Sequence, residues 1–314
     1  MRVGIVVDST CDLPQDYIES SGIVLLPITI RIGEAMLADH RDPEATLSFI
    51  NAHVAEKAAE AETIPFSVNQ IRDLFLGRLV IDFDQVFCLT VTKNRSAIYD
   101  NATQASFAIL NDYKPVRQQA GLNSPFALRV IDTQSLFAGQ GVSAVEAVRM
   151  RGQDVPLTAM RERLDELTRY THAYMIPRDL HYLRSRARAK GDRSVGLMSA
   201  MLGSALDIKP VLHAHQGITE PVAKIKGFDP AVQKLLEHVG RRVAAGLMTP
   251  TVCLSYGGPL DEMRKLAGYA ALRDTCKRHS VEVFESVMSL TGMINVGKGA
   301  LVVGFADRGP AFSG

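Results

Sequence analysis

Three short turns rich in hydroxyls hold the residues best suited to gripping a small acidic group. They are Asp8-Ser9-Thr10, Thr63-Ile64-Pro65-Phe66-Ser67 and Thr92-Lys93-Asn94-Arg95-Ser96. Each follows an apolar run or opens a helix-like pattern. Ser, Thr and Asp are favoured at helix starts, so capping alone accounts for any one of these turns. Two turns meeting at one point could do more, because hydroxyls and unpaired backbone N–H groups can hold a carboxylate without a lysine. The turn after Val86–Val91 has no glycine. Neither GxxxxGK[ST] nor GxGxxG opens a helix here, which argues against a nucleotide phosphate.

Other candidates are thinner. The run from Arg184 to Arg193 holds five cations and one acid. It reads as a solvated face, or as a surface for phosphate or an acidic partner. His213 and His215 could put two imidazoles on one face of a strand. No third ligand stands nearby in sequence, and His172 and His181 are isolated, so they read as structural and no metal is assigned. Gly297-Lys298-Gly299, after Asn295, allows a tight turn or a loop covering a ligand. No GxSxG or HExxH motif offers a hydrolase, and no catalytic residue or cofactor is assigned.

These turns need a frame. Val3–Val7, Ile23–Ile30, Val86–Val91 and Leu128–Asp132 read as strands. Pro43–Glu60, Ser67–Leu79, Ala97–Tyr113 and Phe137–Arg151 read as helices, and Asp12 reads as a helix N-cap. Alternating strands and helices predict a parallel, doubly wound α/β sheet, with ligands outside the carboxyl ends of its strands. Near Gly152–Pro156 the character changes. A second α/β domain follows, with short strands near Tyr174–Pro177, Lys209–His213 and Val222–Ala223. The expected division is 1–155 and 156–314, and the tail DRGPAFSG is expected to fray.

The 314 residues are 46% hydrophobic and 22% charged, enough for a real core. A net charge of +1 argues against nucleic acid as a partner. Cys11, Cys88, Cys253 and Cys276 show no metal or disulfide spacing, and a reducing cytoplasm fits them. No apolar run nears the roughly 20 residues of a membrane span.

Taken in order, VVDSTCDLP, TIPFS, VTKNRSAIYDNA, VIDTQSLFAGQG, HYLRSRARA, DIKPVL and VGKGALVVGF form a pattern. The chain resembles the DegV family of bacterial fatty-acid-binding proteins over nearly its whole length. The resemblance implies two α/β domains around a long-chain fatty acid, with the acyl chain in an apolar tunnel and the carboxylate held by hydroxyls. In some bacteria such proteins present the lipid to a fatty acid kinase. The family's TSQPS-like turn falls on Thr63–Ser67 and its SxxSGTY segment on Thr92–Tyr99. Thr63 and Ser96 are therefore implied as the carboxylate contacts, with Ser9, Thr92 and Asn295 as further ligand-binding residues.

Three departures stand out. The family's SGT is Ser96-Ala97-Ile98, implying a narrower head-group pocket. Its HxGPG is Asn295-Val-Gly-Lys-Gly299, so a histidine becomes an asparagine. Its GGRI is Arg186-Ala-Arg-Ala189, with Arg186 and Arg188 implied at the kinase interface. The fatty-acid carrier reading is thus non-enzymatic. Its rivals are a binding protein or enzyme for a different small carboxylate or phosphate in the same cleft, and a regulatory partner docking through Arg184–Arg193.

Overall fold

The computed structural model describes residues 1–54, 61–189 and 207–313. Strand β1 (Val3–Asp8) enters a parallel sheet, followed by β2 (Val24–Leu26). Next come β3 (Ile28–Ile32), β4 (Ala35–Ala38) and β5 (Glu62–Pro65), which pair antiparallel in the order β4-β3-β5. With β6 (Gln85–Thr90) and β7 (Ala127–Asp132) the parallel sheet is completed as β2-β1-β6-β7. Both faces of its two central strands are covered, which is why Val3–Val7 and Val86–Leu89 are continuous apolar runs instead of alternating ones.

The run Ile23–Ile30 is two strands, not one. Pro27 cannot donate to a ladder, and the chain leaves one sheet for another there. The Ser9 hydroxyl bridges the break by accepting the Ile28 N–H at 2.7 Å, while Ser9 N–H donates to Leu26.

The second half is built on one six-stranded sheet. It comprises β8 (Thr171–Ile176), β9 (Ile208–His215), β10 (Ile218–Lys226), β11 (Thr251–Tyr256), β12 (Glu282–Val287) and β13 (Leu301–Ala306), in the order β10-β9-β8-β13-β11-β12. Only β11 and β12 pair in parallel. The expected short strands near Lys209 and Val222 are long arms of one hairpin, β9–β10.

Helix Ala138–Gly152 lies between the two large sheets and is buried at nearly every position from Ala138 to Ala147. It approaches β13 so closely that a Cβ on Gly304 would lie 2.3 Å from the Ala138 carbonyl oxygen. The largest apolar cluster runs from Ile5 and Phe87 through this helix to Met175, Leu212 and Val302. A second cluster fills the other face of the six-stranded sheet, beneath helix Phe228–Ala245. Packing therefore crosses the sequence boundary expected at 155/156.

Two other expectations change. Asp12 does not cap the helix Gln15–Ser20, whose N-cap position is Pro14. Its buried carboxylate instead pairs with Arg41 at 3.1 Å and accepts from Ser255 Oγ and Ser289 N, tying the halves together. The tail is anchored, not frayed: Phe312 is buried and its N–H donates to Tyr174 Oη at 2.9 Å. Among the described residues no helix is long and apolar enough to cross a membrane.

Candidate functional site

A cavity of about 840 Å³ opens between the carboxyl ends of β1 and β6 and one face of the six-stranded sheet. Its apolar wall follows from strand register. Met175, Leu212 and Pro221 are paired across β8, β9 and β10, so their side chains form a row on the same face. Leu136, Phe137, Leu183, Ile28, Val91 and Val296 add to it, all buried.

The polar part of the lining comes from the hydroxyl-rich turns. Thr63 lies on β5, opposite Ile30 of β3. Ser96 stands before helix Ile98–Ala108, where its Oγ accepts the Ile98 N–H at 3.2 Å. Asn295 belongs to helix Leu290–Val296, and its side-chain amide donates to the Thr291 carbonyl at 2.8 Å. Thr63, Ser96 and Asn295 thus line one cavity, although they are distant in sequence.

Ser9 and Thr92 do not line it. Ser9 is spent on the Pro27 break described above. Thr92 is buried and its Oγ accepts from Asn94 N within its own turn. The neighbours take their places: Thr10 from the first turn, Asn94 and Arg95 from the third.

Asp8 orders these two turns. Its carboxylate accepts the Thr10 N–H at 3.0 Å, the Thr10 hydroxyl, the Val91 N–H at 2.6 Å and the Gln140 amide at 3.1 Å. Burial pushes the Asp8 carboxyl above its ordinary value, opposed by the same hydrogen bonds. The third turn is also fastened to the tip of the β9–β10 hairpin, where Asn94 Nδ2 donates to the Gly217 carbonyl at 2.9 Å. Gly217 has φ 78°, and a Cβ there would lie 2.9 Å from Asn94 Nδ2, so only glycine suits the joint.

The expected interface arginines separate. Arg186 is buried, lines the cavity and donates from Nη1 to the Ala61 carbonyl at 2.6 Å. Desolvation pulls its pKa down from the ordinary value. It cannot form part of an exposed docking face. Arg188 is exposed, and the rest of the basic run, from Lys190 to Arg193, lies outside the described residues. The Ala97-Ile98 departure does not narrow the cavity either. Ala97 is exposed with φ −73°, and Ile98 is buried in the core of the first half.

Sequence reasoning missed Thr10, Asn94, Arg95, Arg186 and Thr291 as lining residues. The hydroxyl-rich turns flagged the first three by position, but nothing local marked Arg186 as inward-facing. Among the described lining residues there is no carboxylate, imidazole or thiol. His213 and His215 point from the opposite face of the sheet, where β8 brings His172 to them.

A family model described as an uncharacterised protein of the DegV family matches residues 2–308. A DegV domain-containing protein of Xanthomonas campestris pv. campestris is 68% identical over 313 residues, covering 100% of both chains. A protein of Thermotoga maritima named "Fatty acid-binding protein" is 25% identical over 311 residues, covering 97% of both. The solved structure of the Streptococcus pneumoniae fatty acid kinase B3 protein, loaded with linoleic acid, aligns with a TM-score of 0.74 at 18% identity, over 98% of this chain and 100% of that one. This chain belongs to the DegV family.

Proposed function

We propose that this protein binds a long-chain fatty acid in the cavity between its two halves and presents the carboxyl group to a fatty acid kinase. Residues 1–155 supply the head-group turns, and 156–314 close over the acyl chain. The observation that carries this reading is one cavity that joins the Met175–Leu212–Pro221 row to the hydroxyls of Thr63 and Ser96. Each buried methylene contributes roughly 0.8 kcal/mol, so a chain of about fifteen supplies on the order of 10 kcal/mol before ordering costs. The head group needs only to keep its hydrogen bonds when it leaves water. Ser96 is half-buried beside exposed Ala97, a position from which a carboxylate is reachable by a second protein.

Binding rather than chemistry is supported by the makeup of the described lining, an apolar row beside hydroxyls and side-chain amides. The names of the Thermotoga and Streptococcus proteins point the same way. Exposed Arg188 is the docking contact in this reading; Arg186 acts from inside, as a buried cation in the cavity lining.

Replacing Thr63 and Ser96 together by alanine tests the site. A hydrogen bond to a charged group is worth about 1.5–3 kcal/mol, so each loss costs roughly 10- to 100-fold, and the double variant should bind a long-chain fatty acid at least roughly 100-fold more weakly while keeping its unfolding transition. Unchanged affinity would remove both residues from the head-group site.

A further inference from the structure

His172, His213 and His215 form a cluster on the outer face of the six-stranded sheet, away from the cavity. Ala173 pairs with Ala214 and Tyr174 with His213, which sets His172 opposite His215 and diagonal to His213. One ring nitrogen from each lies within 4.8 Å of the other two. His172 and His213 are buried, while His215 is half-buried and gives a way in.

The outer nitrogens of His215 and His172 are held as they are in metal-binding imidazoles. His215 Nδ1 donates to the Thr171 carbonyl at 2.9 Å, leaving Nε2 with its lone pair. His172 Nε2 stands 3.4 Å from the Asp307 carboxylate. A proton there leaves the Nδ1 lone pair facing His213 Nε2, 2.9 Å away. Asp307 is itself fixed by Arg242 Nε at 2.5 Å and by Gly309 N at 3.0 Å. Two histidines one residue apart on a strand, with a third on the neighbouring strand and a carboxylate behind it, make a three-nitrogen donor set. It leaves further coordination positions open.

We propose that His172, His213 and His215 bind a divalent transition cation of the zinc type, with Asp307 and the Thr171 carbonyl orienting the rings. Two imidazole nitrogens on a tetrahedral ion are about 3.3 Å apart. The cation therefore takes the place of the His213 Nε2 proton that points at His172, His213 passing to the tautomer protonated on Nδ1 and staying neutral, and parts those rings by a few tenths of an ångström. His215, whose ring lies parallel to His172 at 4.4 Å, turns about its side chain to bring Nε2 in. The cation would join β8 to β9 behind the lipid-facing row and fix the sheet that forms the cavity wall.

The test uses full-length protein without a polyhistidine tag, stripped with chelator and titrated with Co²⁺ and Zn²⁺. The expected result is one equivalent of Co²⁺ with the visible absorption of low-coordinate cobalt, displaced by Zn²⁺, and a raised thermal midpoint with Zn²⁺. His215→Asn, at the half-buried ligand, should weaken uptake roughly 100-fold or more while the apo-protein unfolds as before. Asp307→Asn should weaken it by about 10-fold or more through His172 alone. Failure of the wild type to take up a stoichiometric cation, or uptake unchanged in His215→Asn, would overturn the site and leave the cluster as a hydrogen-bonded imidazole stack.

Discussion

At the scale of single residues, position in the turn decides role more than residue type does. Ser9 and Thr10 are adjacent hydroxyls, yet one closes a break made by Pro27 and the other faces the cavity. Thr92 and Ser96 divide in the same way. Resemblance to the family pointed to Thr63 and Ser96, but local sequence could not say which hydroxyl of a pair turns inward, because that depends on partners far along the chain. Asp84 shows how a charged residue outside the site sets pH behaviour. The backbone N–H of Arg2, then the guanidinium groups of Arg2 and Arg117, hold its carboxyl well below the ordinary value of 3.8. A carboxyl depressed in the folded state stabilises above the unfolded pKa, and that stabilisation is lost as pH falls through the folded value. Between about pH 6 and about pH 3 the wild type should therefore lose more urea stability than Asp84→Asn. Parallel losses would contradict this role.

At the scale of elements, the sequence was clearest where one period dominates. The strand read over Leu128–Asp132 stands as β7, and the helix read over Ser67–Leu79 runs from its Ser67 N-cap through Leu79. The small sheet β4-β3-β5 was not legible. β4 is exposed at every position and β5 is four residues long, so neither carries an alternating apolar signal. Helix Leu290–Val296 was hidden for the opposite reason: it is buried almost all round and shows no amphipathic face. Both elements carry lining residues, Thr63 and Asn295, so that part of the cavity wall was invisible to periodicity. The helix Ala138–Gly152 makes a sharper prediction. A methyl on Gly304 would meet the Ala138 carbonyl carbon and oxygen at 2.4 and 2.3 Å, backbone atoms that cannot rotate away. Gly304→Ala should destabilise by roughly 1–3 kcal/mol, read as a lower urea midpoint with an unchanged slope. A midpoint equal to wild type would mean that helix and sheet can part without loss.

At the scale of the whole molecule, the two sheets are parts of one enclosure. The apolar core runs unbroken from β1 through the central helix to β8 and β9. The cavity opens where the hydroxyl-rich turns of the first half meet the apolar face of the second. Asp12 with Ser255 and Ser289, and Asn94 with Gly217, fasten the halves on different segments. With a net charge of +1 there is no bulk field to draw a polyanion, and affinity must come from burial of apolar surface. The most direct test is native mass spectrometry of the purified protein, followed by solvent extraction of what it carries. The account predicts one long-chain fatty acid per chain, exchangeable with added fatty acids. A protein that arrives empty and stays empty after incubation with free fatty acids carrying about fifteen methylenes would contradict it. The cavity would then belong to a smaller, more polar ligand.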